Sequence, residues 1–214
     1  MQEIKKDKEY IKKVHAEIHK STLEVLSVLS RNNLVYTLQG NVGIPTKKEV
    51  NEEFGKYGVK VSCTRDKINS MKKVFLVKNR LRLINGLRVG FLEHFLDVSW
   101  VKEFKPKDYQ KQMKKAKKQT EKAKKILKRF GKLDILVCHA PPYRILDKVS
   151  SKYSPPKQWI GKHAGSETVL NYIKKYKPSY VLCGHIHEGK GRAKIGKTQV
   201  INAGCCGDYF VINV

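Results

Sequence analysis

Apolar residues at helical spacing dominate the first part of the chain. Between residues 3 and 30 they recur at three-, four- and seven-residue steps, at Ile11, Val14, Ile18, Val25 and Leu29. This periodicity predicts one amphipathic helix. The apolar run 34–38 then predicts a buried strand, and residues 46–55 predict a short helix with Thr46 as its N-cap.

Short apolar runs bounded by turn residues occupy the middle of the chain. Each has the length and composition of a strand, at residues 59–63, 73–77, 81–84 and 87–92. Asn85-Gly86 joins the last two runs and is a strong hairpin signal, since both residues tolerate a positive φ. The whole stretch predicts an antiparallel meander.

Strands and helices alternate in the last third of the chain. Residues 133–138 and 180–183 predict buried strands, and a helix capped by Ser166 lies between them. A hairpin over residues 192–202 follows, and then a last strand over residues 209–214. This alternation is typical of α/β folds. We expect one domain that spans residues 1–214.

Composition points to a folded protein of a reducing compartment. No apolar run approaches the roughly 18 residues of a membrane span. Met1 opens a charged segment rather than a signal peptide. The five cysteines are an odd number without a disulfide spacing, which fits free thiols. We therefore expect a cytoplasmic protein without membrane association.

The net charge is extreme for a chain of 214 residues. Lys and Arg number 45 against 19 Asp and Glu, a balance of +26 that predicts salt-sensitive attraction to polyanions such as nucleic acid. Residues 101–132 hold 14 basic and three acidic residues, and a weak apolar stripe there predicts a lysine-rich helix at about residues 105–131. The pattern favours an exposed amphipathic helix over a ridge that binds polyanions.

Candidate metal ligands follow three of the predicted strands. Asn41, His139 and the pair His185 and His187 each come just after an apolar run, and Gly184 allows a sharp turn before the pair. In open α/β sheets, ligands gather at the carboxyl ends of the strands. Imidazole nitrogen and amide oxygen together suit Mn, Fe or Zn. The sequence therefore predicts a metal site at this edge.

Cysteines offer a rival set of metal donors around the same histidines. The spacing of Cys138, Cys183, Cys205 and Cys206 matches no zinc module. Cys138 and Cys183 lie inside apolar strands, where a free thiol behaves as a small hydrophobe. We expect core thiols at these two positions. Cys205 and Cys206 stay open, since they fall on a loop near the predicted site.

These motifs resemble those of the calcineurin-like metallophosphoesterases. That family carries, in order, D-x-H, G-D-x-x-D, G-N-H-[DE], an isolated histidine and G-H-x-H. Gly40-Asn41 matches the start of the third motif, His139 matches the fourth, and His185 with His187 matches the fifth. The likeness runs from about residue 10 onward and is most specific between residues 133 and 204.

The resemblance implies a phosphoester hydrolase, a phosphatase or phosphodiesterase, with a four-layer α-β-β-α sandwich. In the family two metal ions clamp the phosphate oxygens and lower the pKa of the water that attacks phosphorus. By position, Asn41, His139 and His185 would bind one ion and His187 the other. His163 and Asn202 begin further segments similar to ones common in the family, and they would contact the substrate.

The chain also departs from the family pattern. No D-x-H or G-D-x-x-D precedes Asn41, so the sandwich is expected to be incomplete at its N-terminus, without the bridging carboxylate. Val42 stands at the position of the catalytic histidine and Gly43 at that of its acidic partner. Losing general-acid assistance costs typically about 10²–10⁴-fold in rate. We expect the binding of divalent metal ions to be weak or limited to a single ion.

Two functions stay open on the sequence alone. The first is a metal-dependent phosphoesterase whose full-length form would begin upstream of Met1. The second is a catalytically degenerate binder of nucleic acid or other polyanions, which Val42 and Gly43 favour. A purely structural subunit has no positive support. The missing strands would leave an open sheet edge, which is an aggregation hazard. The chain would then be a fragment, its start would be wrongly assigned, or a partner would cover the edge in an oligomer.

Overall fold

The computed structural model describes residues 8–41, 44–205 and 209–213. These residues form two compact units. Unit one contains the described residues up to Thr37 and those from Ile44 to Val77, and unit two contains Leu38–Asn41 and the described residues from Lys78 onward. The single domain expected over residues 1–214 stays a prediction.

Helices and strands alternate along both units. The described helices are α1 (Lys8–Ser30), α2 (Lys47–Gly55), α3 (Thr64–Ser70), α4 (Val98–Phe104), α5 (Tyr109–Phe130) and α6 (Glu167–Tyr176). The described strands are β1 (Val35–Thr37), β2 (Val74–Leu76), β3 (Arg80–Ile84), β4 (Leu87–Leu92), β5 (Ile135–Cys138), β6 (Tyr180–Cys183), β7 (Gly191–Ile195) and β8 (Thr198–Asn202). This content confirms the α/β class.

Unit one is built on a two-stranded parallel sheet. β1 pairs with β2 so that Val35 lies opposite Val74, and Leu26 of α1 and Ile68 of α3 pack in the same apolar cluster as Val74. The outer edges of both strands pair with no other described strand. The open sheet edge expected from the missing strands, and a partner that covers it, stay predictions.

The antiparallel meander predicted for the middle of the chain is wrong in its first half. Residues 59–63 form no strand, because the Val59 N–H donates to the Phe54 carbonyl at the end of α2 and Cys63 leads directly into α3. Val59 and Cys63 are nevertheless buried, which gives a loop the apolar pattern of a strand. β2 then pairs parallel to β1, and β1 is half-buried rather than buried.

Local signals in the sequence are confirmed wherever capping or turn chemistry sets them. Thr46 caps α2 through a reciprocal capping box with Glu49, and the Ser166 hydroxyl caps α6. Asn85 and Gly86 both take a positive φ between β3 and β4, as a tight hairpin turn requires. The hairpin of β7 and β8 also forms as predicted.

Unit two is built on one six-stranded sheet in the order β3-β4-β5-β6-β8-β7. The four inner strands β4, β5, β6 and β8 run parallel, and the outer strands β3 and β7 are antiparallel hairpin partners. The carboxyl ends of four neighbouring strands therefore meet at one edge. The strand predicted over residues 209–214 is wrong for residues 209–213, which form no strand, and Val214 lies outside the described residues.

The lysine-rich segment forms α5 and confirms the amphipathic interpretation. One face of the helix is buried, with Met113, Ala116, Thr120, Ala123, Leu127 and Phe130 at helical spacing. Its lysines lie on the opposite face and are exposed. The short helix α4, which the sequence analysis did not predict, precedes it and is capped by the Asp97 carboxylate.

The two sheets belong to different units, and the four-layer arrangement, incomplete at the N-terminus, stays a prediction.

None of the described helices has the length and apolar character needed to cross a bilayer.

The core of unit two predicts a specific loss of stability. Phe130 ends α5 with 2% of its surface exposed, among Leu127, Leu133 and Leu136. We expect Phe130→Ala to lower the free energy of unfolding by about 3–5 kcal/mol, because the truncation leaves a cavity. Urea unfolding followed by tryptophan fluorescence measures the loss. Leu83→Ala is the control, since Leu83 is 71% exposed and should change stability little.

Candidate metal centre

Parallel strands bring four polar loops to one edge of the unit-two sheet. His94 lies two residues beyond β4, His139 follows β5, His185 lies just beyond β6, and Asn202 is the last residue of β8. The Gly184 N–H donates to the His139 carbonyl at 3.1 Å and continues the pairing of β5 with β6 past the ends of both strands. The loops that carry His139 and His185 are therefore held side by side.

His139 is the centre of a cluster of three predicted ligands. Its Nε2 lies 2.8 Å from the Asn41 Oδ1 and 2.9 Å from the His185 Nδ1. The Asn41 backbone N–H also points at this nitrogen, at 3.3 Å. The structure thus brings together three of the residues that the sequence proposed, although they are scattered over about 150 positions of the chain.

Backbone geometry fixes His185 in this cluster. Its φ is +68°, and the Ile186 N–H donates to the Gly184 carbonyl at 2.8 Å. A hydrogen bond between residues two apart across a positive central φ describes a γ-turn, a strained conformation for a residue with a side chain. Such strain clusters at functional sites. The sequence analysis assigned the sharp turn to Gly184, but His185 carries the positive φ.

A different glycine is required by close packing in the cluster. A Cβ on Gly40 would lie 2.6 Å from the His139 Cε1 and 2.9 Å from its Nδ1. Any other residue at position 40 would therefore force the His139 imidazole to shift. The Gly40-Asn41 pair thus has a steric meaning, since the glycine makes room for the ring that the asparagine contacts.

A third imidazole, which the sequence analysis missed, completes the group. The His94 ring centroid lies 5.2 Å from that of His139 and 5.6 Å from that of His185. Its buried Nδ1 has no hydrogen-bond partner among the described atoms. The sequence signal is only that His94 also follows a strand end. The meander interpretation gave β4 antiparallel neighbours alone, whereas its parallel partner β5 is what brings His94 to the site.

Burial keeps the clustered imidazoles neutral. It lowers the pKa of His139 to about 3, helped by the nearby rings of His185, His94 and His187. It also lowers the pKa of His185 to about 4, helped by His94 and His187. The pKa of His94 is lowered by burial and by Lys115. Neutral imidazoles carry the lone pair that a metal ion needs.

The donor set fits one metal ion. Asn41 Oδ1, His139 Nε2 and His185 Nδ1 are lone-pair atoms, and His139 Nε2 lies within 2.9 Å of the other two. Among the described residues, no three His, Cys, Asp or Glu side chains could hold an ion by themselves. An ion at this edge would therefore need the amide oxygen of Asn41 as well, and metal binding here stays a prediction.

The remaining metal candidate, His187, lies beside the cluster rather than in it. Its ring meets that of Tyr153 edge-on at 5.4 Å. It lies close enough to His139 and His185 to lower the pKa of both. The His187 ring forms no hydrogen bond to either of these rings in the structure. Binding of a second ion by His187 stays a prediction.

The two predicted substrate contacts have different surroundings. His163 Nδ1 pairs with the buried Asp147 carboxylate at 2.7 Å. Asn202 is fully buried. Its amide nitrogen donates to the carbonyls of Leu146 and Ile186, and its oxygen accepts from Gly204. Asn202 therefore ties three loops together, and contact of either residue with substrate stays a prediction.

Two of the cysteines near the cluster are core thiols, as the sequence analysis expected, and Cys205 stays open as a ligand. Cys138 and Cys183 are buried, and burial raises the pKa of Cys138 to about 12 and that of Cys183 well above its usual value. Both therefore stay protonated, as expected for core thiols. Cys205 Sγ lies 3.3 Å from the Tyr153 hydroxyl. Cys206, Val42 and Gly43 lie outside the described residues.

A cavity of about 330 Å³ opens beside the cluster. Asn41, His94 and His185 are among its lining residues. Most of the other lining residues are apolar, with Trp100 and Trp159 among them. All lining residues belong to unit two. Its volume lies within the range of small-molecule sites.

Comparisons with known proteins identify the family of the chain. A family model described as metallophosphoesterase, calcineurin superfamily, matches residues 96–214, more than half of the chain. That span includes His139, His163, His185 and His187 but begins after Asn41 and His94.

Individual relatives match shorter segments. Over 75 residues the chain is 35% identical to metallophosphoesterase domain-containing protein 1 of Homo sapiens and of Mus musculus. The aligned segment covers 35% of this chain and 21% of each of those proteins. A UPF0046 protein of Caenorhabditis elegans is 30% identical over 73 residues, or 34% of this chain and 22% of its own. The matched segment is about a fifth of the length of these curated relatives.

Solved structures are more distant. One superposes over 90% of this chain and 68% of its own, with a TM-score of 0.48 and 17% identity. A protein of Thermus thermophilus superposes over 62% of this chain and 50% of its own, with a TM-score of 0.34 and 18% identity.

The neutral imidazoles predict a pH dependence of stability. His139 and His185 have folded-state pKa values of about 3 and about 4 against 6.5 when unfolded. Between these values the unfolded chain binds more protons, so stability is fully present above pH 6.5 and falls as the pH drops. NMR titration of the metal-free protein should show both rings neutral at about pH 5. Ring signals that titrate near pH 6.5 would contradict this environment.

Proposed function

We propose that this chain, which belongs to the calcineurin superfamily of metallophosphoesterases, hydrolyses a phosphoester with one divalent metal ion held by Asn41, His139 and His185. The observation that carries the proposal is the position of His139 Nε2, 2.8 Å from the amide oxygen of Asn41 and 2.9 Å from the Nδ1 of His185. The family is metal-dependent. Imidazole and amide donors suit Mn, Fe or Zn.

Each ligand is prepared for this role by its surroundings. Burial holds His139 and His185 in the neutral form that binds metal. The γ-turn fixes His185, and Gly40 leaves room for the His139 ring. His94 and His187 stand next to the set as additional imidazoles. When bound, the ion would supply charge to stabilise the phosphoryl oxygens and would lower the pKa of a bound water.

His163 is proposed to contact the phosphate. Its Nδ1 donates to the Asp147 carboxylate at 2.7 Å. Asp147 is held in turn by the N–H groups of Arg144 and Gly165. This fixes the ring tautomer and leaves Nε2 as the nitrogen available to a phosphate oxygen. The absence of a histidine at position 42 leaves the leaving group without the family's proton donor, so turnover slower by about 10²–10⁴-fold is expected.

Binding of nucleic acid is a second candidate function, and the exposed face of α5 favours it. Lys114, Lys118 and Lys125 are exposed there while the opposite face of the helix is buried. A row of cations on a rigid helix attracts a polyanion by releasing its counterions. This function needs no metal ion and no catalysis, and it is compatible with a phosphoester site elsewhere in unit two.

The metal proposal predicts the loss of one binding site on a single substitution. We expect the wild-type chain to bind about one Mn²⁺ in isothermal titration calorimetry and to hydrolyse a phosphodiester faster with Mn²⁺ than without it. His139→Ala should weaken Mn²⁺ binding by at least about 100-fold, since loss of an outer-shell partner alone costs 10- to 100-fold. His19→Gln is the control, because His19 is an imidazole of unit one. Equal Mn²⁺ affinity in wild type and His139→Ala would contradict the assignment.

The binding proposal predicts a salt dependence that the α5 lysines set. Replacing Lys114, Lys118 and Lys125 with Gln should reduce the slope of log K against log salt by up to about 0.9 per phosphate contact on duplex DNA. Fluorescence anisotropy of a labelled duplex measures the slope. The control replaces Lys47, Lys48 and Lys60, which are exposed lysines of unit one. Equal slopes for the two triple variants would exclude α5 as the binding surface.

A further inference from the structure

Two chemically different sets of side chains line the cavity beside the metal cluster. One set is polar, with Asn41, His94 and His185, and the other contains the three aromatic side chains Trp100, Phe104 and Trp159. A molecule that fills this cavity of about 330 Å³ with its phosphoryl group against the imidazoles would therefore also contact aromatic rings.

The three aromatic rings form a right-angled corner. Trp100 and Phe104 stack with centroids 4.8 Å apart and planes inclined by 15°. Trp159 meets Phe104 edge-on at 5.3 Å and Trp100 edge-on at 6.0 Å. Phe104 is buried, whereas the two tryptophans are only partly buried and keep surface for a ligand. Stacked and edge-on arrangements of this kind are the geometries that aromatic rings prefer, so the corner suits one more planar ring.

Two polar side chains of the cavity wall, Asp97 and Ser166, already have internal hydrogen-bond partners. The Asp97 carboxylate accepts from the Ser99 N–H, the Ser166 hydroxyl and the Thr168 N–H. The Ser166 hydroxyl also accepts from Val169. A sugar or a nucleobase edge placed against them would lose its bonds to water without gaining these groups as partners. At Asp97 and Ser166 the wall therefore favours an apolar ring over a polar one.

We propose that this cavity binds the ester group of the substrate and that the substrate class is an aryl phosphoester. The inference rests on the proposed function for the phosphoryl half. It names the other half, an uncharged aromatic ring that packs against Trp100 and Trp159. Val149 and Ile186 close the apolar wall around it.

The protein carries its own reporter for this site. Trp100 and Trp159 are the two tryptophans of the chain, and both line the cavity. A ring bound between them should change the intrinsic fluorescence. Phenylphosphonate and methylphosphonate are suitable probes, because neither can be hydrolysed at an ester bond and both present the same charged group.

With Mn²⁺ present, phenylphosphonate should bind at least about tenfold tighter than methylphosphonate, since the extra ring leaves water. Only the phenyl compound should change the tryptophan fluorescence. Trp159→Ala should remove most of this preference and leave the methylphosphonate affinity unchanged, with Trp100 as the remaining reporter. The matched control is Leu83→Ala, an apolar truncation at an exposed site outside the cavity. Equal affinities for the two phosphonates in the wild-type protein would overturn the inference, and that comparison needs no variant.

A second experiment distinguishes failure of the proposed hydrolysis from failure of the aromatic site. If Mn²⁺ does not stimulate turnover and neither phosphonate binds, phenol and methanol replace them as probes without a phosphoryl group. Fluorescence-detected binding of phenol that Trp159→Ala abolishes would support the aromatic site by itself. No binding of phenol by the wild-type protein would then overturn it.

Discussion

Parallel pairing of β5 with β6 is the constraint on which the site depends. The pairing aligns Ile135 with Tyr180 and Val137 with Leu182, so both strands end at the same level. His139 and the turn that carries His185 then leave the sheet side by side. The Gly184 N–H extends the pairing by one further bond to the His139 carbonyl. A slip of one residue would turn alternate side chains to the opposite face and would separate the imidazoles.

The sequence predicts those features of the chain that local chemistry sets. Thr46 and Ser166 cap helices, Asn85-Gly86 makes a hairpin, and each acts through neighbours in the chain. The rule that ligands gather at the carboxyl ends of parallel strands applies to His139 and His185, which follow neighbouring strands of one sheet. Asn41 follows β1, a strand of the other sheet, so the rule does not account for its place in the cluster.

Features set by distant pairing could not be predicted in this way. Residues 59–63 have the composition of a strand, but Val59 is buried in a loop that folds back on α2. β4 pairs with β3 on one side and with β5 on the other. Only its pairing with β5 makes His94 part of the site. Val89 and Ile135 pair although they are 46 residues apart, and the local pattern of apolar and polar residues does not indicate such a distant pairing.

A site made of neutral donors has a physical consequence for a metal ion bound there. Most protein metal sites release protons when they bind, because their ligands must first lose them. Here burial already holds the pKa of His139 at about 3 and that of His185 at about 4, so little proton competition is left near neutral pH. No carboxylate among the three proposed ligands would offset the charge of the ion. The ion would therefore keep more of its positive charge and attract an anionic phosphoester more strongly. For the same reason, the site would bind the metal ion itself more weakly than a site with carboxylate ligands would.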